Sequence, residues 1–151
     1  MEEAEVERIL SSWFQSQGYS VVMNIEVGGG NRLDLAAKSE HEDWFVEVKG
    51  DYDANTAQYS VNFDTGMGQL VRSITRLDDR TKYAIGIPFS RTERGEKLSY
   101  RLILLKYAKS LVFEALNIHL LLVRDDRSVE VVVPGQVRGF LSSIDSQIRE
   151  G

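Results

Sequence analysis

The chain has 151 residues, 42 % apolar and 27 % charged, with no cysteine and a net charge of −5. That balance predicts one globular domain over residues 1–151 with a core of useful size. It excludes disulfides and thiolate metal sites, and it argues against coating nucleic acid by charge alone. No apolar run approaches the ~20 residues of a membrane helix. The opening Met1-Glu2-Glu3-Ala4-Glu5 lacks the apolar centre of a signal peptide, so a cytoplasmic protein without a membrane partner is expected.

Val6, Ile9, Leu10, Trp13 and Phe14 draw one apolar stripe, predicting a helix over 3–17 that stops at Gly18. Residues 19–27 are rich in Val, Ile and Tyr and read as a strand. Gly28-Gly29-Gly30-Asn31 is a turn. It could admit a phosphate backbone but has no following helix, so a plain hairpin is favoured. Strands are expected over 32–37 and 43–49, and three strands in close succession suggest an antiparallel meander. The polar stretch 50–64, with Asp51, Tyr52 and Asp53, reads as a solvated loop near a site.

Met67, Leu70, Val71, Ile74 and Leu77 predict a helix over 65–77. A strand over 83–88 and a charged loop over 90–97 follow. Apolar residues around most of the circumference then predict one long helix over 99–116, deeply buried or part of a homodimer interface. Strands over 118–123 and 129–133 and a helix over 137–148 close the chain. The order α-β-β-β-α-β-α-β-β-α implies a mixed α/β layered fold.

The chemistry-bearing residues lie on the second and third strands. Alternation puts Leu33 and Leu35 on one face and Asp34 on the other, and it puts Glu47 and Lys49 together. If the strands pair, Asp34 and Glu47 converge. Two carboxylates can hold Mg²⁺, a hard cation that prefers oxygen, and Mg²⁺ can polarise a phosphoryl group and ionise water. A lysine beside them can orient or deprotonate that water, or add positive charge to the transition state. The competing reading is a salt bridge on an exposed sheet edge. His41 and His119 have no partner at metal-ligand spacing, and no serine has nucleophile-elbow context.

Arg32-Leu33-Asp34-Leu35 followed by Phe45-Val46-Glu47-Val48-Lys49-Gly50 resembles the PD-(D/E)XK, or restriction-endonuclease-like, superfamily, with Leu33 where its name puts Pro. The resemblance covers roughly residues 3–88. It implies a single-domain αβββαβ core with a mixed central sheet, to which the C-terminal helices and strands are additions. It also implies a Mg²⁺-dependent nuclease (Mn²⁺ a substitute) acting on DNA, with Asp34, Glu47 and Lys49 catalytic and Asp34 and Glu47 on the metal. Glu7 matches the first-helix glutamate of many members, with Glu3 a rival one turn earlier. Gln69 matches their glutamine near the attacking water. Arg72 and Arg76 share the spacing of Gln69, on a face that grips phosphates or is simply solvated. Some members of the superfamily have lost catalysis, so a module that binds nucleic acid or a protein is the competing expectation.

Overall fold

The computed structural model describes residues 1–51, 56–90 and 100–150. Tyr52 and Asp53, residues 91–97 of the charged loop and Ser99 lie outside that range.

Helix α1 (Glu3–Ser16) leads into strands β1 (Ser20–Glu26), β2 (Arg32–Lys38) and β3 (Asp43–Val48). Helix α2 (Thr56–Ser73) crosses to β4 (Thr81–Pro88). Together these elements form the expected αβββαβ core. Short helices α3 (Tyr100–Leu104) and α4 (Val112–Ala115), strands β5 (Ile118–Val123) and β6 (Val129–Val132), and helix α5 (Val137–Glu150) complete the chain. The strands make one mixed sheet in chain order, β1 to β6. β1–β2, β2–β3 and β5–β6 are antiparallel, whereas β3–β4 and β4–β5 are parallel. This is a restriction-endonuclease-like α/β fold.

Two cores flank the sheet. On one face Val6, Leu10 and Phe14 of α1 pack on Leu35, Val46, Val48, Ala84 and Leu121. On the other, Tyr59, Phe63, Met67 and Leu70 of α2 meet Tyr83, Ile85, Ile87, Leu120 and Leu122. Strand alternation sorts the side chains, so neighbours on β4 and β5 enter opposite cores. Trp44 is buried under α1, and Phe45 packs half-buried toward the other core. Among the described residues no helix is long and apolar enough to cross a membrane.

Three expectations need correction. The stretch read as a loop over 50–64 holds the first part of α2, which begins at Thr56 and ends at Ser73 rather than Leu77. Its buried stripe of Tyr59, Phe63, Met67 and Leu70 has helical spacing, and the polar residues Asp64 and Thr65 between them are exposed. Ser73 Oγ donates back to the Gln69 carbonyl at 2.8 Å, and the Ile74 amide turns back to Val71. Second, the long C-terminal helix is not continuous. α3 passes into a 3₁₀ turn (Leu105–Tyr107), and α4 ends before Asn117, whose φ is +57°. Leu102 and Leu111 are left exposed.

Third, Leu33 and Leu35 do not share a face: Leu33 joins the α2 core and Leu35 the α1 core. The β2–β3 ladder stops at Leu35–Val46, and on the β1 side Asn24 sits at φ +53°. The alternation slips at Asp34, whose side chain replaces the missing ladder bond. Asp34 Oδ2 accepts the Val48 amide at 2.7 Å.

Candidate metal centre

The parallel strands β3 and β4 end side by side, Glu47 opposite Ile85 and Val48 opposite Gly86. In open α/β sheets the carboxyl ends of parallel strands are where ligand crevices form. At this end β2 breaks from β3, and the break is what turns the Asp34 carboxylate toward Val48.

Glu47 is 3 % exposed, and its carboxyl lies against that of Asp34. Burial, followed by the Asp34 contact and charge, pushes its pKa up to about 9, and Lys49 offsets only part of this. Glu47 Oε2 is buried without a hydrogen-bond partner, as is Gln69 Oε1 on α2. Oxygens orphaned in this way are costly unless something else binds them.

Helix α1 brings two more carboxylates. One oxygen each from Glu3, Glu7 and Asp34 lie within 4.8 Å of one another. The pKa values of Glu3 and Glu7 are both raised, by burial first and then by Asp34. Asp34 thus stands between Glu47 on one side and the α1 pair on the other. The sequence preferred Glu7 and kept Glu3 as a rival. Being one helical turn apart, the two share a face and both reach Asp34.

Gly50 sets the depth of that helix. A Cβ on Gly50 would lie 2.2 Å from Glu3 N, so only glycine lets the first turn of α1 close onto the end of β3. The Gly50 carbonyl accepts the buried Tyr100 hydroxyl at 2.7 Å, pinning the junction from the other side. A Gly after Glu-x-Lys is visible in the sequence, but this contact is not.

Lys49 follows Glu47 on the same face, held by its amide to the Gly86 carbonyl at 2.9 Å. Its charge offsets part of the rise that burial and Asp34 impose on the pKa of both Glu47 and Glu3. Gln69 is half-buried on the helix above. Arg72 is exposed, with Nη1 folded back toward Gly68. Arg76 is not on that helix face, because α2 ends at Ser73. It is exposed, and its Nε lies 3.7 Å from Asp78 Oδ2. Asn31 of the glycine turn reaches the Arg72 carbonyl at 3.4 Å, so the hairpin tip rests on the end of α2. His119 is buried, with Nδ1 3.1 Å from the Tyr83 carbonyl.

The donor set is all carboxylate, which suits a hard divalent cation. The fold is of the restriction-endonuclease-like class. Among solved structures it is similar to an XisH family protein from Nostoc punctiforme: 19 % identity, 83 % of this chain and 95 % of that one covered, TM-score 0.56. It is also similar to an fdxN element excision controlling factor protein from Anabaena variabilis: 18 % identity, 85 % and 95 % covered, TM-score 0.55. No family model and no curated protein matches the sequence.

Proposed function

We propose that the chain is a divalent-metal-dependent nuclease of the PD-(D/E)XK type, hydrolysing phosphodiester bonds of DNA. The observation that carries this reading is Glu47: a buried carboxyl pressed against Asp34, beside Lys49, with one oxygen unpartnered. A core built only for stability would avoid such a group. Asp34 and Glu47 would hold Mg²⁺, or Mn²⁺ in its place, with Glu7 and Glu3 available to a second cation. The metal would polarise the phosphate and activate water. Lys49 would orient that water or carry positive charge at the phosphate, Gln69 would hold the water or the phosphate, and Arg72 and Arg76 would meet the DNA backbone. DNA as substrate is in keeping with the second structural neighbour, which is named an fdxN element excision controlling factor protein.

Asp34→Ala, Glu47→Ala and Lys49→Ala should each abolish Mg²⁺-dependent nicking of plasmid DNA while circular dichroism stays native. Cleavage that survives EDTA, or survives Glu47→Ala, would sink the reading. The proposal includes a C2 dimer through the C-terminal elements, where Leu102 and Leu111 are exposed. Sedimentation should then show a dimer that Leu111→Glu dissociates.

The net charge of −5 favours a second reading, a module of this fold that has lost catalysis and binds a protein partner. It predicts no Mg²⁺ heat in calorimetry.

A further inference from the structure

Helix α2 carries two glycines inside its span, Gly66 and Gly68. Glycine is among the poorest interior helix residues, because it loses the most backbone freedom on folding. Their surroundings differ from those of Gly139, which lies inside α5 with nothing within 4 Å of where a Cβ would be. A Cβ at Gly66 would stand 2.9 Å from Lys49 Cε, and 3.4 Å from Lys49 Cγ and from Ile85 Cδ1. The Lys49 stem therefore runs directly across the bare backbone of α2. At Gly68 a Cβ would come 3.4 Å from Arg72 Nη1, one turn further on. The two glycines inside this helix each leave room for a cationic side chain, and at Gly66 that cation is Lys49, whose charge acts on Glu47 and Glu3.

We propose that Gly66 is a positioning residue whose missing side chain forms the groove that aims Lys49 at the Asp34–Glu47 pair. The proposal rests on the hydrolytic reading of that centre for its effect on activity. The main chain of Lys49 cannot retreat, since its amide is bonded to the Gly86 carbonyl at 2.9 Å. Ile85, opposite Glu47 in the register, closes the groove on the β4 side. The soft part is the outer stem of Lys49, a flexible chain ending in a point charge. A methyl group at residue 66 is thus relieved by moving the ammonium, not the fold. Helix propensity alone favours alanine there, so retaining glycine makes sense if the position of Lys49 matters more than local stability.

The test compares Gly66→Ala with Gly139→Ala, the same substitution in a helix with open space around it. Four quantities are read: melting temperature, Mn²⁺ affinity by calorimetry, plasmid-nicking kinetics, and the ε-methylene resonances of ¹³C-lysine-labelled protein. Gly66→Ala should melt no lower than the parent and bind Mn²⁺ within about threefold, because no carboxylate has moved. Its kcat should fall by at least about tenfold with KM little changed, and the Lys49 resonance should shift. Gly139→Ala should leave kcat, Mn²⁺ affinity and the Lys49 resonance as they are.

Unchanged kcat in Gly66→Ala overturns the proposal, and so does an unmoved Lys49 resonance. A sharp drop in melting temperature also overturns it, because the clash then falls on the helix. If the parent protein does not cleave DNA, the hydrolytic reading fails on its own. The Lys49 resonance then decides the positioning proposal: a shift supports it, and its absence ends it.

Discussion

Two glutamates at opposite ends of β3 have opposite fates. Glu42, just before the strand, is fully engaged: Lys82 Nζ lies 2.6 Å from Oε2, the Trp44 indole N–H donates to Oε1 at 3.0 Å, and the Tyr19 hydroxyl donates there too. Burial alone would raise its pKa, but those donors, Lys82 first, pull it down to about 2. Glu47, near the other end, is more deeply buried yet faces another carboxylate, and one of its oxygens has no partner. A carboxylate completed by its own protein thus precedes the strand, and one left incomplete lies near its other end. Structural carboxylates are satisfied internally, whereas a carboxylate that must bind something else is left with capacity to spare.

The largest expected break between the two is in pH dependence without metal. Glu47 has a folded pKa above its unfolded value, so its contribution to stability is full below about pH 4.5. It is lost as pH rises toward about 9. Stability measured by urea unfolding in EDTA should fall across that window, by at most about 1.4 kcal/mol per pH unit. Glu47→Gln, which mimics the protonated acid, should flatten the decline. A metal-free parent with no loss of stability between neutral and alkaline pH would contradict the burial argument.

Mg²⁺ should reverse the same penalty. A ligand that binds only the folded state stabilises it by about 2.7 kcal/mol at a hundredfold excess over its Kd, or roughly 5–10 °C in a chain of this size. Scanning calorimetry should show that shift in the parent. Asp34→Ala and Glu47→Gln should lose it, and Glu42→Gln should keep it. If Glu42→Gln lost it as well, the contrast between the two glutamates would fail.

How much of this was legible in the sequence follows from which rules are local. The face shared by Glu47 and Lys49 is a period-two fact, and β3 obeys it. The αβββαβ order could be read because α1 and the strands have clean periods and end at turn residues such as Gly18, whose φ is +91°. The kink at Asp34 has no local signal. It arises because a side chain took over a ladder bond from a strand elsewhere in the chain. The start of α2 was hidden by polar residues between Tyr59 and Phe63, and its end by Leu77, which is exposed. The break after α3 carries no Gly or Pro to mark it. That both α1 glutamates reach Asp34 depends on the depth of the helix, which Gly50 sets by a contact across the fold.

The smallest effect tests the complete end. The folded pKa of Glu42 lies below its unfolded value, so the stability it confers is present above about pH 4.5 and lost as pH falls toward 2. Glu42→Gln should therefore remove part of the acid sensitivity and cost about 1–2 kcal/mol at neutral pH. Hydrogen bonds to a charged group are worth about 1.5–3 kcal/mol, and partial exposure of both Glu42 and Lys82 discounts that. Lys82→Met should give a similar loss, and the double variant less than the sum, because each single change leaves the other charge without its partner. Additive losses would show that Lys82 and Glu42 act independently. The stability of this end would then rest on the Tyr19 and Trp44 donors alone.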